Sequence, residues 1–521
     1  MATFNVTNIN DSGAGSLREA VDLANITPGA DIININGIVN LNSAINITDV
    51  VEIRGNNDNF MIAQRGSDRI FRIDNNSNNL INVTLTNLTL TGGKSGDLGG
   101  AVYTKENLTL NSVVFDGNVG TTRGGGVYSE GATLVINDSV FRNNEVVANP
   151  NETNPNIQPV GAGFYSLNGN LQVNNTSVES NKSALHAAAI VNSKGNITRS
   201  RFINNSGGGI YLATQAQVTI DGAEVNNNQN DKYGGGIRIE NQSQLTLTNS
   251  TINGNQSVYG GGVSIADINP GTSEIINSQI TNNTATTGGG GIDIAFGADM
   301  VIRDSDIISN TAPKGSGLQT RSFNTPSSAS LYDVTVANNT GSDSQIEGAN
   351  ISITRGDLSI TQVHRFYQRE KGFHFYSSDL NEINDIKTRS QRGELKYNYE
   401  SEKYNVLTSN KNISDADIAG AQEVYRFFNT QTGAHLYTMD ENEKTSIETN
   451  LKNYNYEGIK FYAFETDPVD IDTVPLYRML NSQSGSHLFT VDQVEIDYIK
   501  NNLPHFAPEG NNGIAFYVLE L

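Results

Sequence analysis

The sequence predicts a mainly β chain. A right-handed parallel β-helix fills about the first 360 residues, and a smaller pseudo-threefold α+β, trefoil-like repeat domain follows. Three observations predict this. A small-residue triplet followed by an apolar residue returns about every 26 residues. Short alternating strands, separated by turns rich in Asn, Ser and Asp, lie between the triplets. Near residue 361 this pattern gives way to an aromatic-rich unit present in three copies.

The first element does not belong to the repeat. Ser16 to Asn25, SLREAVDLAN, reads as a short amphipathic helix. Ser16 and Glu19 form a capping box, and Leu17, Ala20, Val21 and Ala24 share one face. A helix ahead of the first coil covers an edge that would otherwise template aggregation. Residues 1–30 are therefore assigned to an N-terminal strand and capping helix. The stretch resembles the SLREA motif of bacterial surface and exported β-helix proteins of the pectate-lyase-like superfold. Many of those carry a Cys before the Ser, where this chain has Gly15.

Residues 31–360 are the coils. The triplets include Gly99-Gly100-Ala101, Gly124-Gly125-Gly126, Gly161-Ala162-Gly163 and Ala187-Ala188-Ala189, and the series continues at Gly207, Gly234, Gly260, Gly289 and Gly315. One longer interval contains a polar insertion, EVVANPNETNPNIQP (145–159). Phrases such as LVINDSVFRNN (134–144) and LTLTNSTINGN (245–255) are strand, polar turn, strand. A hairpin array alternates too, but only coiling explains a fixed return. About three strands per turn would stack equivalent positions ~4.8 Å apart. Glycine triplets suit tight bends or coil-to-coil contacts, and corner asparagines suit side-chain amide ladders.

The second unit, 361–521, holds 23 of the 39 Phe and Tyr residues. Its copies (361–420, 421–472, 473–521) open with Arg365, Arg426 or Arg478 in an aromatic strand. Each passes a turn glycine to His374, His435 or His487, nine residues after the Arg. An Asp-x-x-Glu follows (Asp379/Glu382, Asp440/Glu443, Asp492/Glu495), a helix-start signature. The copies close on YNYESEKYNVL, YNYEGIKFYAF and, with an insertion, FAPEGNNGIAFYV (506–518). The pattern resembles a bacterial C-terminal repeat domain worded YRFYN…TGxHFYT…YEGIAFYV, appended to secreted hydrolases and surface proteins. That resemblance implies binding of an extracellular or cell-wall glycan.

Candidate chemistry follows from this layout. A three-copy module can bind sugar with one polar cluster and one aromatic per copy. The candidates are Arg365/His374, Arg426/His435 and Arg478/His487, with Tyr376 and Tyr437 as stacking faces. The competing reading has Arg and His fasten hairpin to helix. His364 and His505 lack counterparts and are expected to be incidental. In the β-helix, His186 is expected to be a variable residue flanking its triplet.

The carboxylates Asp304, Asp306 and Asp293 are the weak catalytic candidates for a lyase or hydrolase. Asp304 and Asp306, two apart on one strand, could hold Ca²⁺; no other cofactor is expected. A net charge of −21 and no basic cluster argue against nucleic acid and anionic membrane. No cysteine is present, no apolar run is long enough for a membrane span, and MATFNVTNIN shows no signal-peptide pattern. The function expected is a secreted or surface-displayed adhesive stalk with a glycan-binding head. A polysaccharide lyase or glycoside hydrolase, and a self-associating fibre subunit, are the alternatives.

Overall fold

A computed structural model describes residues 1–55, 60–149, 159–266, 272–322, 325–341, 344–356, 358–412, 416–468, 471–509 and 513–520. Most of the polar insertion at 145–159 and residues 510–512 of the last closing segment lie outside them. The chain divides into two units. One is Met1–Ala329 with Val334–Glu347, and the other is Ser330–Asp333 with Gly348–Leu521. The division falls ahead of the compositional change near 361, where the strand Ile351–Arg355 pairs antiparallel with the opening strand of the second unit, which begins at Leu358.

The first unit is a parallel β-helix. Each coil contributes one strand to each of three sheets, as in Val127–Glu130, Thr133–Asn137 and Val140–Arg142. The second and third sheets have twelve strands each, every one paired in parallel with its counterpart one coil away. Register is residue on residue: Ile136, Val173, Ile197, Ile220, Leu247, Ile275 and Ile302 stack inward on the first sheet, and each is fully buried. Burial of each such side chain is worth roughly 1.5–3 kcal/mol.

Local chemistry explains the coil's shape. The corner between the first and third sheets turns on one residue in the left-handed region. Asp138, Asn175, Asn249, Asn277 and Asp304 hold φ between 45° and 50° there. Asp and Asn tolerate that conformation best among residues with a Cβ. The triplets bring successive backbones together: a Cβ on Gly125 would lie 2.4 Å from the Ala162 carbonyl oxygen.

The expected amide ladder is present and, but for half-buried Asn339, buried. Asn118, Asn144, Asn181, Asn205, Asn228, Asn255, Asn283, Asn310 and Asn339 each pass Nδ2 and their backbone N–H to the Oδ1 of the next, or finally to Gln345 Oε1. Helix α1 (Leu17–Ala24) precedes the coils. Its buried residues are the four expected, and Ser16 Oγ accepts from Glu19 N–H. Glu19 in turn accepts from Gly15 N–H, and Arg18 donates to the Ala44 carbonyl of the first coil.

The second unit is three copies of hairpin, helix and strand. The opening strands Leu358–Gln368, Ala421–Asn429 and Thr473–Asn481 each lie between a hairpin partner and a closing strand, all antiparallel. The helices are α2 (Leu380–Gln391), α3 (Glu441–Asn450) and α4 (Gln493–Asn502). Asp379, Asp440 and Asp492 cap them, each accepting two backbone N–H groups.

Tyr376, Tyr437 and Phe489 meet edge-to-face at the centre, with ring centroids 5.7–6.1 Å apart. No copy buries its aromatics alone, so a shared centre is what stabilises all three.

Candidate functional site

Each copy of the second unit carries a charged clasp built on its arginine. Arg365 donates from Nε to Glu400 at 2.5 Å and from a terminal nitrogen to Glu495 at 2.8 Å. Glu400 belongs to its own closing strand, whereas Glu495 stands in the first turn of α4, in the third copy. Arg426 repeats this with Glu457 at 2.6 Å and, in a fork, with Glu382 of α2 at 2.8 and 2.9 Å. Arg478 grips Glu443 of α3 at 3.0 and 3.2 Å. The arginines therefore tie the first copy to the third, the second to the first and the third to the second, which closes a ring.

The histidines join the same groups. His374, His435 and His487 place Nε2 at 3.4, 3.4 and 2.8 Å from Glu400, Glu457 and Glu509. Burial alone would raise the Glu400 carboxyl, but the His374 hydrogen bond and the Arg365 charge bring it down to about 2. Burial pushes the His435 imidazole down to about 3, with Arg426 adding to it, so it is neutral at pH 7.

The arrangement bears on the expected sugar site. Arg365 and Arg426 are buried with their donors on carboxylates. The expected stacking faces Tyr376 and Tyr437 are central core, and their hydroxyls donate to the Phe489 and Tyr376 carbonyls. In both copies the geometry is that of a fastener. His364, expected to be incidental, is buried against the Tyr399 hydroxyl at 2.9 Å.

In the β-helix the carboxylates scatter. Asp293 is fully buried and held by Arg321 through two bonds of 2.6 Å. Burial is the largest influence on its carboxyl and leaves it above the ordinary value, although Arg321 pulls the other way. Asp304 occupies the left-handed corner, while Asp306 opens the following strand between Gln279 and Thr335. The two do not share a strand, contrary to the sequence reading, because the chain turns between them. Among the described residues no group of three or more His, Asp or Glu is placed to hold a metal ion.

His186 also departs from expectation. It is fully buried, its Nε2 lies 2.7 Å from the Gly234 carbonyl, and its ring stacks on Tyr211. Tyr103, Tyr128 and Tyr165 stack in the same outward column of the second sheet, 5.6 and 5.4 Å apart. Their signal was legible, since each Tyr follows its triplet's apolar residue, but the three are buried and lock coils together.

One surface of the β-helix is concave. On the first sheet Thr133, Asn170, Lys194, Gln217 and Gln244 stack in register as an outward row. Beside it runs a corner row, where Asn192 donates to Asn168 at 2.7 Å and Gln215 to Gln242 at 2.9 Å. The two rows line adjoining depressions of about 660 and 490 Å³, with the half-exposed Leu80 beside the first. Sequence reading did not single these residues out. Along this row the coils shorten to 24 and 23 residues between Asn170, Lys194 and Gln217.

Residues 153–312 match the family of right handed beta helix regions, and residues 362–519 match a domain of unknown function, DUF5648. A search of curated proteins finds no match. Among solved structures, the A-module of Azotobacter vinelandii mannuronan C-5 epimerase AlgE4 is 17% identical. That match covers 67% of this chain and 99% of the other, with a TM-score of 0.48. PfbA, a surface adhesin of Streptococcus pneumoniae, is 10% identical over 72% of this chain and 100% of its own, with a TM-score of 0.34. The Dettilon tailspike protein is 14% identical over 58% and 67%, with a TM-score of 0.28.

Proposed function

We propose that this chain, a right-handed β-helix followed by a DUF5648 domain, is an extracellular or cell-surface glycan-binding protein. Its β-helix offers an adhesive face, and its C-terminal domain is a second binding head. The observation that carries the reading is the in-register row Asn170, Lys194, Gln217 and Gln244, three amides and one ammonium, lining a groove. Coils ~4.8 Å apart present one hydrogen-bonding side chain per rung, close to the length of one sugar unit in an extended polysaccharide. Primary amides suit hydroxyls because each both donates and accepts. Leu80 supplies an apolar contact beside them.

Charge narrows the partner. At −21 the protein repels polyanions, so neutral or amine-bearing glycans are favoured over acidic ones. No comparable observation favours the lyase or hydrolase, since Asp293 is committed to Arg321 and Asp304 stands on a corner.

Glycan-array binding by the whole chain tests the reading. The double variant Asn170→Ala/Gln217→Ala is expected to bind about tenfold more weakly, as loss of two hydrogen bonds implies. Unchanged binding by that variant, with its circular dichroism intact, would overturn the groove as the site.

A further inference from the structure

The lining of the β-helix groove selects among the glycans that net charge allows. The chain has 55 Asp and Glu residues, yet among the described residues neither depression has a carboxylate in its wall. The one charged group there is the ammonium of Lys194, exposed on the middle rung between Asn170 and Gln217. A sugar bearing its own ammonium would meet a like charge and no counter-ion. A uniformly acidic chain is opposed by the net charge of −21. Of the neutral and amine-bearing classes, the groove therefore admits the neutral one.

Two features of the larger depression point to the group it takes. Leu80 stands half-exposed on the loop between the strands Phe71–Ile73 and Asn82–Thr86. That loop is braced from within. Buried Glu106 accepts from Asn75 N–H at 3.1 Å and from Ile81 N–H at 2.8 Å, one at each end, so Leu80 is held at the groove wall. Gly131 leaves room in the same wall, since a Cβ there would meet nothing within 4 Å.

The second feature is an amide pair. Asn192 Nδ2 donates to Asn168 Oδ1 at 2.7 Å, which leaves Asn168 Nδ2 to donate and Asn192 Oδ1 to accept. Both residues are exposed and line this depression. A secondary amide presents the complementary pair, one carbonyl and one N–H.

We infer that the groove is selective for N-acylated amino sugars, whose acetamido group is a neutral secondary amide ending in a methyl. The inference rests on the glycan-binding reading above and deepens it. The acyl methyl of one unit packs on Leu80 beside Gly131. The acetamido carbonyl of another unit accepts from Asn168 Nδ2, and its N–H donates to Asn192 Oδ1. Lys194 rejects the deacylated sugar.

The test is calorimetric titration of the whole chain with three β-1,4-linked pentamers, of N-acetylglucosamine, of cationic glucosamine and of glucose. The N-acetylated pentamer is expected to bind about tenfold more tightly than the glucosamine one, with the gap narrowing as salt rises. Lys194→Glu should reverse the order of those two. Leu80→Ala should cut the advantage of N-acetylglucosamine over glucose about fivefold, the worth of a buried methyl. Tighter or equal binding of the glucosamine pentamer by the unaltered chain, or an unchanged order in Lys194→Glu, overturns the inference. So does a glucose pentamer bound as tightly as the N-acetylated one, an outcome that leaves the groove standing as a glycan site. Binding of none of the three removes both readings.

Discussion

The two units solve one problem, holding copies of a short motif together, with opposite chemistry. The β-helix joins its coils by a neutral ladder, in which each buried asparagine bonds the next coil and a backbone carbonyl. The C-terminal domain joins its copies by arginines: buried Arg365 and Arg426 each bridge their own closing strand and a neighbour's helix, and Arg478 reaches α3 of its neighbour. Translation permits the first device, because every rung meets an identical rung and coils can be added without limit. Threefold closure requires the second, because each copy meets its neighbours once and the contact must fix an angle, as a forked guanidinium does. The ladder is local and repetitive, while the ring is closed, so loss of one member affects all three copies.

The largest effect expected of breaking this contrast lies in the ring. Arg426→Ala strands Glu382 and Glu457 without their cation and should destabilise the C-terminal domain by about 3–5 kcal/mol. Hydrogen exchange followed by mass spectrometry should show loss of protection in all three copies and none in the β-helix. Loss confined to the second copy would refute a closed ring.

Next is the ladder. Asn228→Ala leaves the two donors of Asn205 unmatched, removes the Nδ2 donor from the Phe202 carbonyl and from Asn255 Oδ1, and should cost about 2–3 kcal/mol. Exchange should rise in the coils flanking 228 and decline outward, in contrast with the all-or-none response of the ring.

Acid should separate the units without mutation. Glu400 is held down to about 2, and Glu382, Glu495 and Glu509 are also lowered. A carboxylate depressed in the folded state stabilises above its unfolded value near 4.5 and ceases to do so as pH falls through the folded one. His435, neutral down to about 3, adds a loss that begins below its unfolded value near 6.5. The C-terminal domain should therefore lose stability from about pH 6.5 downward, most steeply below 4.5. The ladder does not titrate, and the coils should follow chiefly through buried His186, itself lowered to about 3, with the lowered but solvent-screened Asp11 and Asp221 adding little. Exchange measured from pH 7 to pH 3 checks this order.

The smallest effect sharpens the threefold symmetry. Tyr376 and Tyr437 each bond a neighbouring copy's carbonyl, and Phe489 in the equivalent place cannot. Phe489→Tyr should complete the set and raise the denaturation midpoint by the equivalent of about 1 kcal/mol.

How much was legible varies from residue to residue. The capping helix, the parallel coils, the asparagine ladder and the three hairpin–helix–strand copies were all readable, because each follows from period and local preference. Asp379, Asp440 and Asp492 were read as helix starts and cap them. The partners of Arg365, Arg426 and Arg478 were not readable. Glu382, Glu443 and Glu495 had been seen only as the ends of helix-start signatures, and spacing within one copy cannot reveal a bond to another. Asp304 and Asp306 were misplaced for a related reason, since alternation does not show where a single left-handed residue ends a strand.

The sequence by itself therefore determined the repeats, their periods and the elements within them. These depend on side-chain alternation, turn residues and caps that act over a few positions. Only the tertiary structure decided which copies the arginines join, that Tyr376 and Tyr437 face inward, and where the β-helix surface leaves a groove. Those outcomes depend on which distant segments come to occupy the same volume, which no local pattern records.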